Sequence, residues 1–304
     1  MITYTLRQLR YFVAAADHGS IAGAARALNI SQPSISTAIA KLEANLGVRL
    51  LLRHHAHGVS LTPAGQPLLA EARSLLAHAG ELAEHARGLG ETVRGRLDVG
   101  CFVTIAPSFM PAIARGFTEA HPEVDIRLHE GHQDELLLGL ERGRFTVALL
   151  YDFDLGGDLA LAPLADLAPY ALLPGDHPLA RRAKVALAEL APLPLVLLDM
   201  PPSRDYFTSL FHKAGLEPDI RFRSPSLETV RGMVGSGVGY SLLVTRPASD
   251  QSYDGSALAC RPLADDVEPG RVVLARLAQS RPTRLVETFA DYCRDYFADR
   301  AGRG

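Results

Sequence analysis

Apolar residues recur every three or four positions through roughly the first ninety residues, then gather into short runs separated by polar, glycine-bearing turns. Leu9, Phe12, Val13 and Ala16 form one stripe, which predicts a first helix from Leu6 that ends at Gly19. Behind Ser20, an N-cap type of residue, Ile21, Ala24, Ala25 and Leu28 repeat the spacing and predict a short second helix that stops at Asn29. Asn-Ile-Ser makes the corner: Asn tolerates left-handed backbone, Ser31 is placed to cap, and Pro33 suits the first turn of a third helix. On that helix Ile35, Ala38, Ile39, Leu42 and Leu46 share a face, so Ser36, Thr37 and Lys41 point outward while Gln32 and Ser34 flank the exposed first turn.

A helix that reads bases must lie deep in the major groove, and this outward face is small and rich in hydrogen-bonding groups. Gln suits adenine, and Ser or Thr suits either edge. The apolar runs Gly47–Leu52 and Val59–Leu61, separated by a polar loop, predict a small two-stranded wing, after which Pro63 sits early in a new helix. Along that helix Leu68, Ala72, Leu75, Ala79, Leu82, Ala86 and Leu89 step by four and three alternately, a heptad seam on which two chains could zip.

From about Arg96 the pattern becomes α/β. Runs at Leu97–Val103, Val124–Glu130 and Val147–Tyr151 read as parallel strands alternating with helices. A second set follows, with strands near Ala168–Leu173, Leu195–Leu198, Ile220–Phe222 and Gly239–Val244 and helices near Ser203–Ala214 and Ser226–Gly235.

The run from Leu6 to Pro67 resembles the winged helix-turn-helix of LysR-type transcriptional regulators, and the likeness extends over essentially the whole chain. It implies that Gln32, Pro33, Ser34, Ser36 and Thr37 sit at or near bases, joined by Lys41, and that Arg53 and the wing loop lie against the DNA backbone. It implies a periplasmic-binding-protein-like effector domain of two subdomains, so the expected organisation is a DNA-binding domain (1–65), a linker and dimerisation helix (66–92) and an effector domain (93–304). Subdomain I is expected at about 93–165 and 266–304, with the helix Thr283–Phe297 returning to it, and subdomain II at about 166–265. Implied partners are double-stranded DNA, a small effector, further copies of the chain as homodimer or homotetramer, and RNA polymerase; no cofactor and no membrane are implied.

The ligand edge of an open α/β sheet lies at the carboxyl ends of its strands. Thr104 to Ser108 and Pro201 to Arg204 present helix starts of this kind on the two halves. The resemblance carries effector contact to Thr104, Gln133 and the turn Ser203–Tyr206, with Ser226 as a further member. Helix starts favour negative charge, so with Arg204 beside Ser203 an organic anion is the expected ligand, unless Arg204 points to solvent or pairs with Asp205 or another nearby acid; an aromatic or uncharged ligand is the alternative, lined by Phe102, Ile105, Tyr151 and Tyr206.

Charge sharpens this picture. The chain carries a formal net charge of −3, but residues 1–65 hold six Lys or Arg (Arg7, Arg10, Arg26, Lys41, Arg49, Arg53) against Asp17 and Glu43, leaving a basic head on an acidic body. Three cysteines without regular spacing argue against a disulfide framework, and neither an export signal nor a long uncharged apolar run is present, so the cytoplasm is expected. The histidines His54, His55 and His57 lack Cys or acidic partners for a metal.

Other signals point away from enzymes. The glycines Gly235, Gly237 and Gly239 follow a helix and precede a strand, the reverse of a dinucleotide fingerprint. No G-x-S-x-G elbow supports a hydrolase. Cys101 falls in a predicted buried strand, which argues against a peroxide-sensing thiol. Thr146 stands after Gly-Arg where the resembled family commonly has Asp. The runner-up is a small-molecule binding protein or α/β enzyme with an appended helical domain; a basic head with a polar reader helix would be of no use to it.

Overall fold

The computed structural model describes residues 3–54, 58–86 and 92–301. Helices α1 (Leu6–Asp17), α2 (Ile21–Leu28) and α3 (Gln32–Leu46) are followed by the hairpin β1 (Leu51–His54) and β2 (Gly58–Leu61), then the long α4 (Gly65–Ala86). Each start is capped as the sequence suggests: the Thr5 hydroxyl accepts from the Gln8 amide, the Ser20 hydroxyl from Gly23 and the Ser31 hydroxyl from Ser34. Asn29 closes α2 in the left-handed region at φ 53°. Leu9, Phe12, Ile21, Ala24, Ile35, Ile39 and Leu42 meet in one buried core.

That core also takes Leu69 and Ala72 from α4. The first turns of α4 thus belong to the head, and Ala72 is spent there instead of on the heptad seam, because the neighbouring three-helix core is the nearer apolar surface. Farther along, Leu75 and Leu82 remain 42% and 73% exposed. The Ala86 side chain and Leu89 lie outside the described residues.

The body contains two halves. Strands β3 (Gly95–Phe102), β4 (Val124–Gly131) and β5 (Val147–Tyr151) alternate with α5 (Ala106–Ala120) and α6 (Gln133–Glu141). The chain then runs through β6 (Leu159–Leu167) and β7 (Tyr170–Pro174), a short α7 (Leu187–Leu190), β8 (Pro194–Leu198), α8 (Ser203–Lys213), β9 (Asp219–Ser224), α9 (Leu227–Gly235), β10 (Ser241–Leu243), β11 (Leu258–Pro262), β12 (Gly270–Leu277) and α10 (Arg284–Ala301). The first sheet has the order β4-β3-β5-β12-β6; the second half holds β10-β7-β11 and the pair β8-β9, linked by a bridge between Leu195 and Tyr240.

The chain passes between halves twice, between β6 and β7 and between β11 and β12. The three strands read as parallel are so, β3 lying parallel to both β4 and β5; β12, which re-enters from the second half, runs antiparallel to β5 and β6 and makes the sheet mixed. Around Pro163, which cannot donate to a ladder, the β6–β12 register shifts between Val272 and Val273.

Candidate DNA interface and effector cleft

On α3 the chain buries Ile35, Ile39 and Leu42 and leaves Gln32, Pro33, Ser34, Thr37 and Lys41 exposed, with Ser36 half-buried. The exposed Ser34 hydroxyl lies 2.7 Å from that of Ser31 at the helix start and keeps further hydrogen-bonding capacity. Arg53 on β1 reaches across to α3, its Nη2 donating to Ser36 Oγ at 3.0 Å. The wing is fixed at its base: Glu43 accepts from the amides of Leu50 and Leu51, and Val59 donates to the Gly19 carbonyl at 2.8 Å. Gly58, at φ +87°, sits where a Cβ would stand 2.1 Å from that same carbonyl, so only glycine permits this approach. The six Lys and Arg side chains of the head are all exposed. His54 bonds Ser60 across the hairpin at 2.7 Å, while His55 and His57 lie outside the described residues.

The cleft between the halves is aromatic. Thr104, 3% exposed, follows β3 and lies with its hydroxyl 3.3 Å from that of Tyr151 at the end of β5. It is not an N-cap: α5 begins behind Ile105 without a side-chain cap. Phe102 meets Tyr151 edge-on at 5.5 Å and His132 at 6.5 Å. Gln133 opens α6 and is buried; its Nε2 donates to the Phe153 carbonyl at 2.6 Å, and its Oε1 has no protein partner. His132 Nδ1 is likewise buried without a partner. From the second half, Tyr206 on α8 stacks on Phe153 at 4.7 Å and donates to the Glu268 carbonyl at 2.6 Å. Ser203, at the start of the same helix, is buried.

Two expected members stand apart. Arg204 turns to acids of its own half, with Nη1 3.3 Å from Asp199 and Nε 3.2 Å from Asp205, and its side chain is 40% exposed. These contacts, the one to Asp205 foremost, raise its pKa further, so it stays a paired guanidinium. Ser226 is exposed and caps α9, accepting from Thr229 at 3.2 Å. At the mouth of the cleft a crevice of about 350 Å³ is bordered by Asp152, Asp154, Asp205 and Glu268. Its two cations are taken: Lys213 lies 3.6 Å from Glu268, and Arg271 lies 2.8 Å from Asp166. This mouth is acidic, which removes the basis for an organic anion held by Arg204. Sequence reasoning missed Phe153, His132 and the mouth carboxylates; the run Asp152-Phe153-Asp154 directly after the apolar β5 was the available signal.

Residues 6–66 match the bacterial regulatory helix-turn-helix proteins of the lysR family, and residues 90–298 match the LysR substrate binding domain. The chain belongs to the LysR family of transcriptional regulators. Among LysR-type relatives, the hydrogen peroxide-inducible genes activator of Dickeya chrysanthemi is 33% identical over 294 residues, covering 96% of this chain and 95% of that one. HinK of Pseudomonas aeruginosa, a LysR family regulator of known structure, is 45% identical with a TM-score of 0.67, covering 97% of this chain and 99% of that one. Full-length OxyR C199D from Pseudomonas aeruginosa is 29% identical with a TM-score of 0.77, covering 95% and 97%. The winged helix-turn-helix joined to a two-subdomain effector domain is thus the architecture of this LysR regulator, and DNA binding modulated by a small effector is its function. Among the described residues, no helix is long and apolar enough to cross a membrane.

Proposed function

We propose that this LysR regulator reads its operator with Gln32, Pro33, Ser34, Ser36, Thr37 and Lys41 of α3 while Arg53 of the wing holds the phosphate backbone. The observation that carries this reading is the Arg53–Ser36 contact: it joins the wing to the polar, exposed face of α3 in the basic head. The protein acts in the cytoplasm as a regulator and not as an enzyme, and it pairs through Leu75, Ala79 and Leu82 of α4, with Leu68 at the near end of the seam. Pairing supplies the two-fold symmetry that a two-half operator requires. We divide the chain into a head (1–65), the linker helix (66–92) and the effector domain, with subdomain I at 93–165 and 266–304 and subdomain II at 166–265.

The effector occupies the cleft formed by Thr104, Gln133, Ser203 and Tyr206. It is a small planar molecule without net negative charge, a reading supported by the rings of Phe102, Tyr151 and Phe153 inside and the carboxylates at the mouth. The free acceptor Oε1 of Gln133 marks a place for a ligand N–H or O–H. A peroxide-sensing thiol does not fit this chain. Cys101, Cys260 and Cys293 are all buried, and burial pushes the Cys101 and Cys293 thiols up, the latter to about 12, which suppresses the reactive thiolate. The test is a mobility shift with a duplex from upstream of the chain's own gene, repeated with neutral, cationic and anionic aromatic compounds. Release or tightening by an anionic aromatic alone would contradict the cleft chemistry.

A further inference from the structure

The opposite end of the first sheet, where β3 and β5 begin and β12 ends, carries a second concavity of about 610 Å³. Three parts of the chain build it: Val13 and Asp17 of α1 with His18 just beyond it, from the head, Ala70 to Ala77 along α4, and the body from Arg96 to Val286. Five arginines line it, Arg73, Arg96, Arg144, Arg276 and Arg281, against the carboxylates of Asp17 and Asp98.

Most of these groups have partners within the protein. Arg73 ties head to body, donating to Asp17 and to the carbonyls of Arg142 and Gly143. Arg96 holds Asp98 through two hydrogen bonds, at 2.6 and 2.7 Å, and Asp98 also meets His129 at 2.8 Å. Arg276 donates to the carbonyls of Leu277 and Ser280, which carry no compensating charge. Among the described residues, Arg144 and Arg281 have no ion-pair or hydrogen-bond partner for their side chains. Thr146, on the same wall, supplies no carboxylate. The concavity therefore holds more guanidinium than carboxylate charge, and a concave wall focuses that potential. Apolar floor is present beside it, from Val13, Ala77, Phe145 and Val286.

We propose that this junction is a second ligand site, distinct from the effector cleft, for a small anion bearing phosphate or carboxylate groups held by Arg144 and Arg281. Guanidinium forks match both kinds of oxyanion. Because the walls come from the head, α4 and the body, an anion bound there favours the docked arrangement of head and body, and operator affinity and anion affinity must change each other by the same factor.

The test uses the full-length protein at constant ionic strength, with sodium chloride as the reference salt. Calorimetric titrations with inorganic phosphate and with citrate separate the two anion classes. Saturable binding of at least one is expected, weakened roughly tenfold or more in both the Arg144→Ala/Arg281→Ala protein and the Thr146→Asp protein and unchanged in Arg204→Ala. Arg144, Thr146 and Arg281 are exposed and Arg204 is half-buried at the surface, so folding is not at stake. In parallel, saturating anion should change the affinity for the upstream duplex by roughly fivefold or more in the wild type and not in the double variant. The proposal is overturned if neither anion binds beyond the chloride reference, if the double variant binds as well as wild type, or if Arg204→Ala is the change that abolishes binding. The calorimetry needs no DNA, so failure of anion binding is distinguishable from failure of operator reading by α3.

Discussion

Arg53 of the wing donates to Ser36 of α3 at 3.0 Å, which places the guanidinium at the edge of the polar face of that helix, the face proposed to enter the groove. A cation in that position is shared between Ser36 and whatever phosphate passes that edge. Arg53→Ala should weaken binding to all duplexes together and lower the slope of log affinity against log salt by about 1, with little loss of preference among sequences. Fluorescence anisotropy across a salt series measures both quantities. Loss of sequence preference with an unchanged slope would mean that Arg53 touches bases instead.

Leu82 is 73% exposed on α4, four residues beyond half-buried His78 and seven beyond Leu75, itself 42% exposed. Such a stripe on a long helix requires a partner. Leu75→Asp with Leu82→Asp should lower the mass seen by sedimentation while leaving the melting of the head intact. An unchanged mass would assign oligomerisation to other surfaces.

Within the cleft, Phe153→Ala removes the ring that Tyr206 stacks on and opens the passage between the halves. The expected result is altered effector response, by about tenfold in concentration, with operator affinity in the absence of effector little changed. Arg204→Ala should leave the response as it is, since its partners are Asp199 and Asp205. An Arg204→Ala protein blind to the effector would restore the anion reading.

Asp98 supplies an acid-dependent contribution. Burial alone would raise its carboxyl, but hydrogen bonds from Arg96 and His129 outweigh burial and hold it below the usual carboxylate range. A lowered folded pKa means that the stabilisation is complete above the ordinary value of about 4 and is lost as pH falls through the lower folded value. Asp98→Asn should therefore be less stable than wild type at neutral pH, by about 1–3 kcal/mol, with the gap closing in strong acid. Urea unfolding at neutral and acid pH measures it; a gap independent of pH would assign the loss to packing.

What could be read from the chain without coordinates follows the range of the forces involved. The three helices of the head, their caps at Ser20 and Ser31 and the corner at Asn29 are local, set by neighbours three or four residues away, and all were legible. The pairing of β12 with β6 joins Arg271 to Asp166 across 105 positions, and nothing near either residue announces it. Spacing showed that Ala72 is apolar but could not choose between two apolar partners, and the head core took it. In the cleft, Thr104 and Gln133 were reachable through the resemblance and the position of the strand ends. Phe102, Tyr151 and Tyr206 were named as an alternative apolar lining, but Phe153 was not, because it meets Tyr206 only once the chain has crossed from the first half to the second. For Arg204 the sequence left two readings open, a ligand or an acid such as Asp205, and the structure takes the second: Asp199 and Asp205 lie within 3.3 Å of its guanidinium.

Whether this regulator reads DNA through α3 is decided by the operator affinity of Ser36→Glu. Glutamate there sets a carboxylate against the groove floor and beside Arg53, while the half-buried site can turn the longer side chain outward without touching Ile35 or Ile39. The expected result, by anisotropy with the upstream duplex and a scrambled duplex, is loss of the affinity difference between the two with circular dichroism and melting temperature unchanged. A Ser36→Glu protein that still prefers its operator by the wild-type margin would put the base-reading surface somewhere other than α3.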